Sequence, residues 1–184
     1  VPPIIKIKDA LEYRDRILKH DKNNGNPMMT LYLHKDIDLK ELRDIKNIKE
    51  ISAIKYYPKG ATTNSADGIK RIDHIYPILD VMEQEDIPLL IHGESIKFNV
   101  DIFDKEKVFI ENELTKIINN FPNLRIVLEH ISTKSAVDYV LNNKSDNIVA
   151  TITPHHLVLN RNDIFTNGKL NPFNYCCPII KNKE

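Results

Sequence analysis

Three apolar runs in this 184-residue chain end in side chains able to hold a metal ion. They are Ile54-Lys55-Tyr56-Tyr57-Pro58, Leu89-Leu90-Ile91-His92-Gly93-Glu94 and Ile126-Val127-Leu128-Glu129-His130. Each has strand length, and an unbroken apolar run suits a strand buried on both faces of a parallel sheet. Ligands at the carboxyl ends of successive parallel strands converge on one mouth of an α/β barrel, where barrel enzymes keep their chemistry. Neutral imidazole suits zinc and similar divalent ions. One lysine and two histidines so placed therefore point to a metal-dependent hydrolase. A histidine after a buried strand is more often a hydrogen-bonded structural residue, but His92 and His130 share the setting and strengthen each other's case. No C-x-x-C or H-E-x-x-H pattern occurs, which argues against a closed structural zinc site. Lys55 is the harder residue. An amine on a buried strand normally snorkels or pairs with an acid, and an ammonium cannot ligate a metal. In a low-dielectric pocket it can lose its proton.

The elements that must position these residues alternate along the chain. The spacing predicts helices over Asp9–Lys19 (with Asp9 as a cap), Leu39–Asn47, Ile69–Glu85, Asp104–Asn120 and Lys134–Leu141, the last capped by Ser132-Thr133. Strands are predicted over Met28–Leu33, Ile51–Tyr57, Leu89–His92, Arg125–His130 and Ile148–Ile152. Five strands separated by four helices argue for parallel βα units. A complete (β/α)8 barrel typically needs about 250 residues. The expected fold is thus α/β, either an open sheet or the middle of a barrel.

Composition narrows the function. The 26 basic and 26 acidic residues balance, which gives no electrostatic footprint for nucleic acid or an anionic membrane. No apolar run approaches the ~20 residues of a membrane helix. Cys176 and Cys177 are adjacent, and a disulfide between neighbours is strained, so reduced thiols and a cytoplasmic setting are expected. The start at Val1-Pro2-Pro3-Ile4 has no initiator Met and no signal-peptide pattern, and both ends read as cut from a longer protein.

A further set of motifs carries a resemblance. Lys55-Tyr56-Tyr57-Pro58 is followed by Ala61-Thr62-Thr63-Asn64-Ser65, then Leu90-Ile91-His92-Gly93-Glu94 and Asp101-Ile102-Phe103-Asp104. Leu128-Glu129-His130-Ile131-Ser132-Thr133-Lys134, Ala150-Thr151-Ile152-Thr153-Pro154-His155-His156-Leu157 and Tyr175-Cys176-Cys177-Pro178-Ile179-Ile180-Lys181 come after. In order and spacing the chain resembles dihydroorotase of the monofunctional, bacterial-like type, within the amidohydrolase superfamily. The resemblance implies a (β/α)8 barrel of the metal-dependent hydrolase type, present as roughly strands 3 to 7. Residues 1–184 would then be the central part of one barrel domain, with the first and last strands absent. It also implies reversible hydrolysis of the cyclic amide of dihydroorotate to N-carbamoyl-aspartate in pyrimidine synthesis, at two zinc ions bridged by a carboxylated lysine. Lys55 matches that lysine, and His92 and His130 match two ligands of one zinc. Thr62 and Thr63 match a mobile loop that closes over substrate. Cys177 matches a position whose backbone meets the substrate ring, where the family more often has an aliphatic residue. His156 has a place in the family pattern but is not a zinc ligand, and both His155 and His156 read as hydrogen-bonded structural residues. His20, His34 and His74 read as solvent-facing.

The resemblance also implies what is missing. A His-x-His strand with an Arg and an Asn would precede Val1, and the catalytic Asp with a further substrate His would follow Glu184. The chain alone holds no catalytic acid–base residue and is expected to be inactive, whereas the intact enzyme is expected to be a homodimer. Cobalt and manganese accept the same ligand set as zinc. Two alternatives remain at this level. One is another cyclic amidohydrolase, hydantoinase-like or allantoinase-like, against which the Ala-Thr-Thr-Asn-Ser and Tyr-Cys-x-Pro segments argue. The other is an inactive dihydroorotase-like assembly module, against which the intact Lys55, His92 and His130 argue.

Overall fold

The computed structural model describes residues 2–143 and 145–183. Val1, Lys144 and Glu184, and so both ends of the expected 1–184 domain, lie outside the described residues. In chain order the elements are α1 (Ile7–His20), β1 (Met29–Tyr32), α2 (Leu39–Asp44), β2 (Ile51–Tyr56), α3 (Tyr76–Gln84) and β3 (Leu89–His92). They continue as α4 (Lys105–Phe109), α5 (Thr115–Asn120), β4 (Ile126–Glu129), α6 (Lys134–Asn142), β5 (Ile148–Ala150) and α7 (Pro154–Val158). A small hairpin, β6 (Phe165–Thr166) and β7 (Lys169–Leu170), comes last.

Strands β1 to β5 pair in sequence order and all in parallel. Helical crossovers between sequential parallel neighbours are the repeating unit of a (β/α) barrel. With five strands the sheet is a partial barrel. Its two faces differ. Ile54, Leu89, Ile91, Ile126 and Leu128 point towards the helices and are almost wholly buried, against Leu79, Met82, Leu114 and Ile117 among others. The alternate positions, in register as Leu90, Val127 and Val149, form the barrel-interior face. Leu90 and Val127 are half-buried and Val149 is exposed. Packing of the first face supplies the hydrophobic stabilisation, at roughly 25 cal/mol per Å² of apolar area removed from water. Among the described residues no helix is long and apolar enough to cross a membrane.

Three boundaries differ from expectation. The helix predicted from Ile69 begins at Tyr76, after a 3-10 turn over Ile72–Ile75. Pro77 falls in its first turn, where the missing N–H is not needed. Ile69 serves the sheet instead: its N–H donates to Tyr57 O at 3.0 Å and its carbonyl accepts from Lys59 N at 3.0 Å. The Asp104–Asn120 helix is α4 and α5 joined by a π turn over Ile110–Leu114. Asp9 does not cap α1, whose N-cap position is Lys6. The α6 cap is as expected, with Thr133 Oγ1 accepting from Ala136 N at 3.2 Å.

Candidate metal centre

Register brings the three strand-end residues together. Lys55 pairs with Leu90 across β2 and β3, and His92, two residues further along β3, pairs with Glu129 on β4. Side chains two apart share a face, so Lys55, His92 and Glu129 all point to the barrel interior at the carboxyl end of the sheet. The Lys55 amine pairs with the Glu129 carboxylate. It also sits 4.8 Å above the centre of the Tyr57 ring. Burial pulls the Lys55 pKa below its ordinary 10.5, against the opposing pull of Glu129.

His130 reaches the same mouth by a different device. Strict alternation would send it to the helix side, opposite Glu129. Its φ is +44°, in the left-handed region that a residue with a Cβ rarely occupies and that marks strain held by its surroundings. Thr151 Oγ1, on the loop after β5, holds the turn by accepting from His130 N at 2.9 Å. The result sets Nε2 of His130 3.3 Å from Nδ1 of His92, with ring centres 4.9 Å apart. Burial first, then the neighbouring His92 and Lys55, push the His130 pKa down to about 3. The ring is therefore neutral at physiological pH, the form that binds a cation.

These residues fit a divalent metal. Two nitrogens on one tetrahedral zinc, with Zn–N of about 2.0–2.1 Å, lie about 3.3–3.4 Å apart. The observed His92–His130 separation of 3.3 Å equals that edge. Nε2 of His92 donates to Glu94 at 2.8 Å, which places the His92 proton there and leaves Nδ1 with a free electron pair. A carboxylate fixing the tautomer of a ligating histidine is a recurrent feature of metal sites. His130 Nδ1 is buried with no hydrogen-bond partner among the described residues. Without a cation the His130 proton has no good home: on Nδ1 it lacks an acceptor and the facing electron pairs repel, and on Nε2 it leaves Nδ1 an orphaned acceptor. A cation between the facing nitrogens removes the repulsion.

Sequence reasoning did not single out the supporting residues Glu94, Glu129, Glu106 and Thr151. The signal for the first two was present, since each lies within two residues of a candidate histidine. Gly93 between His92 and Glu94 also has a packing reason. A Cβ there would meet Leu128 Cδ1 at 2.7 Å. Glu106 on α4 is buried and accepts from Ser132 N at 2.9 Å, Ser132 Oγ at 3.0 Å and Thr133 Oγ1 at 2.5 Å. It ties down the turn that follows His130.

The other candidates are more scattered. Thr63 lines a cavity of about 630 Å³ together with Lys55, Tyr57, Tyr32 and Asn64. Thr62 turns to its own loop, its N–H donating to Ser65 Oγ at 3.0 Å. Cys177 lies beside Tyr175, whose hydroxyl it pushes up in pKa, and both cysteines are free thiols. His155 and His156 are hydrogen-bonded, to Thr153 Oγ1 and, for His156, also to Pro178 O at 2.9 Å. His20 and His74 are exposed as expected. His34 is instead half-buried, beside Asp36 at 3.5 Å.

No protein-family model matches the chain. Individual proteins do. A dihydroorotase of Coxiella burnetii is 50% identical over 186 aligned residues, which cover all of this chain and 53% of that protein. The crystal structure of dihydroorotase from Campylobacter jejuni superposes with a TM-score of 0.87 at 39% identity, covering 99% of this chain and 52% of that one. Dihydroorotase from Saccharomyces cerevisiae, solved in complex with 5-fluoroorotic acid, gives 0.86 at 32% identity over 99% of this chain and 52% of that one. The chain spans about half the length of the relatives it matches, and over that span it is similar to dihydroorotases by sequence and by fold.

Proposed function

We propose that the protein carrying this chain is a dihydroorotase, opening the cyclic amide of dihydroorotate to N-carbamoyl-aspartate and closing it again in pyrimidine synthesis. The observation that carries the reading is the convergence of His92 Nδ1 and His130 Nε2, 3.3 Å apart, in a chain half identical to a dihydroorotase. Residues 1–184 form the central part of its single barrel domain. Two zinc ions share the site, and Lys55, carboxylated on Nζ, supplies an anionic oxygen ligand. Bound zinc polarises an amide carbonyl and brings the pKa of water near 7.

Each residue has a task in this scheme. His92 and His130 present electron pairs from neutral rings. Glu94 holds the His92 proton on Nε2 and so keeps Nδ1 turned to the mouth. Burial favours the neutral Lys55 amine, the form to which carbon dioxide adds: the C–N bond forms and the amine proton leaves. The Tyr57 ring lies 4.8 Å from the Lys55 amine and forms one wall beside it. Thr62 and Thr63 close over the substrate, and the backbone at Cys177 meets its ring. The cavity that Thr63 shares with Lys55 supports the placement of Thr63. The enzyme works as a cytoplasmic homodimer.

The test is to assay the intact protein by the loss of dihydroorotate ultraviolet absorbance, before and after chelation and with zinc restored. Chelator-sensitive, zinc-restored turnover is expected. Hydrolysis of hydantoins or allantoin with no turnover of dihydroorotate would assign the site to a different cyclic amide, and no hydrolysis of any of them would point to an inactive assembly module.

A further inference from the structure

We propose that His155, His156 and Cys176 form a second metal site, separate from the Lys55–His92–His130 centre, that takes soft or borderline divalent ions such as Zn²⁺ and Cd²⁺. His155 and His156 sit on α7, and Cys176 returns to them from the segment after β7. One ligand atom from each of the three lies within 4.8 Å of the other two. Cys176 Sγ is 3.9 Å from His156 Nε2. On a tetrahedral zinc with Zn–N of about 2.0–2.1 Å and Zn–S of about 2.3 Å, nitrogen and sulfur lie about 3.6 Å apart. Closing that gap needs a movement of a few tenths of an ångström.

Two further features shape the place. The Pro178 carbonyl accepts from His156 Nε2 at 2.9 Å and from the Cys176 thiol at 3.1 Å. Two donor hydrogens thus point at one oxygen, where a cation could replace both and gain that oxygen as an added donor. As the metal–nitrogen and metal–sulfur bonds form, the thiol proton leaves to solvent and the single ring proton of His156 shifts from Nε2 to Nδ1. Thr153 Oγ1 contacts His155 Nε2 at 3.0 Å and His156 Nδ1 at 2.5 Å. Its two lone pairs can accept an N–H from both rings, which frees the other nitrogen of each as an electron-pair donor. His155, His156 and Cys176 are all half-buried, so an ion can enter from solvent. The mixed nitrogen and sulfur set favours zinc-like ions over magnesium or calcium. This assignment does not depend on the dihydroorotase reading, and it would clamp α7 to the segment that carries Cys177.

The experiment titrates CdCl₂ into the intact protein with its other centre kept loaded with zinc, following the ultraviolet sulfur-to-cadmium charge-transfer band. The Lys55–His92–His130 centre has no sulfur and is silent in this band. The expected result is saturation with one cadmium per chain, loss of the band in Cys176→Ser, and at least a tenfold weaker apparent Kd in His155→Asn. Cys177→Ser should leave the band unchanged. A band that persists in Cys176→Ser, that follows Cys177, or that is indifferent to His155→Asn would overturn the site. Because His155 is half-buried and its side chain is hydrogen-bonded to Thr153, its variant keeps the test decisive even if Cys176→Ser folds poorly.

Discussion

Glu94 Oε2 lies 2.8 Å from Nε2 of His92, while Nδ1 of the same ring faces His130. The two nitrogens of one imidazole are thereby given different jobs, one as proton donor to a buried carboxylate and one left with a free electron pair, the ligand atom of the proposed centre. Glu94 and His92 are 3% and 1% exposed, so water cannot take over the carboxylate's role.

Glu94→Ala should therefore weaken metal binding without removing a ligand. Loss of such an outer partner typically costs 10- to 100-fold in affinity. Competition against a chromophoric chelator in the intact protein would measure it. An unchanged affinity would mean that packing alone orients His92.

Gly93→Ala tests the packing directly behind the site. The added methyl would lie 2.7 Å from Leu128 Cδ1, and Leu128 is 1% exposed within the core. Overpacking of this kind typically costs about 1–3 kcal/mol. Thermal denaturation should show a lowered Tm, and a Tm equal to the parent's would show that Leu128 moves aside freely.

Glu106→Ala should destabilise the protein by about 1–3 kcal/mol, because Ser132 N–H and two hydroxyls lose their buried acceptor. The size should depend on pH. Burial, outweighing its hydrogen bonds, raises the Glu106 pKa above the ordinary 4.5. The folded state then holds this proton more tightly than the unfolded chain, so the stability it contributes is full below pH 4.5 and declines as pH rises through the folded value. Denaturant titrations should accordingly show a larger penalty for the variant near pH 4 than near pH 7. The reverse order would contradict the assigned shift.

Much of the fold was legible because its signals are local. The runs around Ile54, Leu89 and Ile126 are apolar on consecutive positions, as strands covered on both faces must be, and all three appear where expected. Lys55, His92 and His130 could be picked out because each ends such a run. What stayed hidden depends on contacts far apart in sequence. Nothing local says that Lys55 will meet Glu129, 74 residues away. Likewise the left-handed turn at His130 becomes understandable only with Thr151 and Glu106 beside it. The late start of α3 is a milder case. Ile69 and Ile72 continue the helical stripe of α3, but Ile69 is recruited to the sheet by Tyr57, and Pro77 marks the true first turn.

The most direct test of the metal centre is the metal content of the intact protein and of its Lys55→Ala variant, measured by inductively coupled plasma mass spectrometry after identical purification. With the His155–His156–Cys176 site removed by Cys176→Ser in both proteins, about two zinc ions per chain are expected in the parent. Less than half of that is expected in the variant, which in the proposed scheme loses the bridging anion and, with it, dihydroorotate hydrolysis. A variant that keeps its full metal complement and near-normal turnover would show that Lys55 is a structural lysine paired with Glu129 and that the centre is held by other residues.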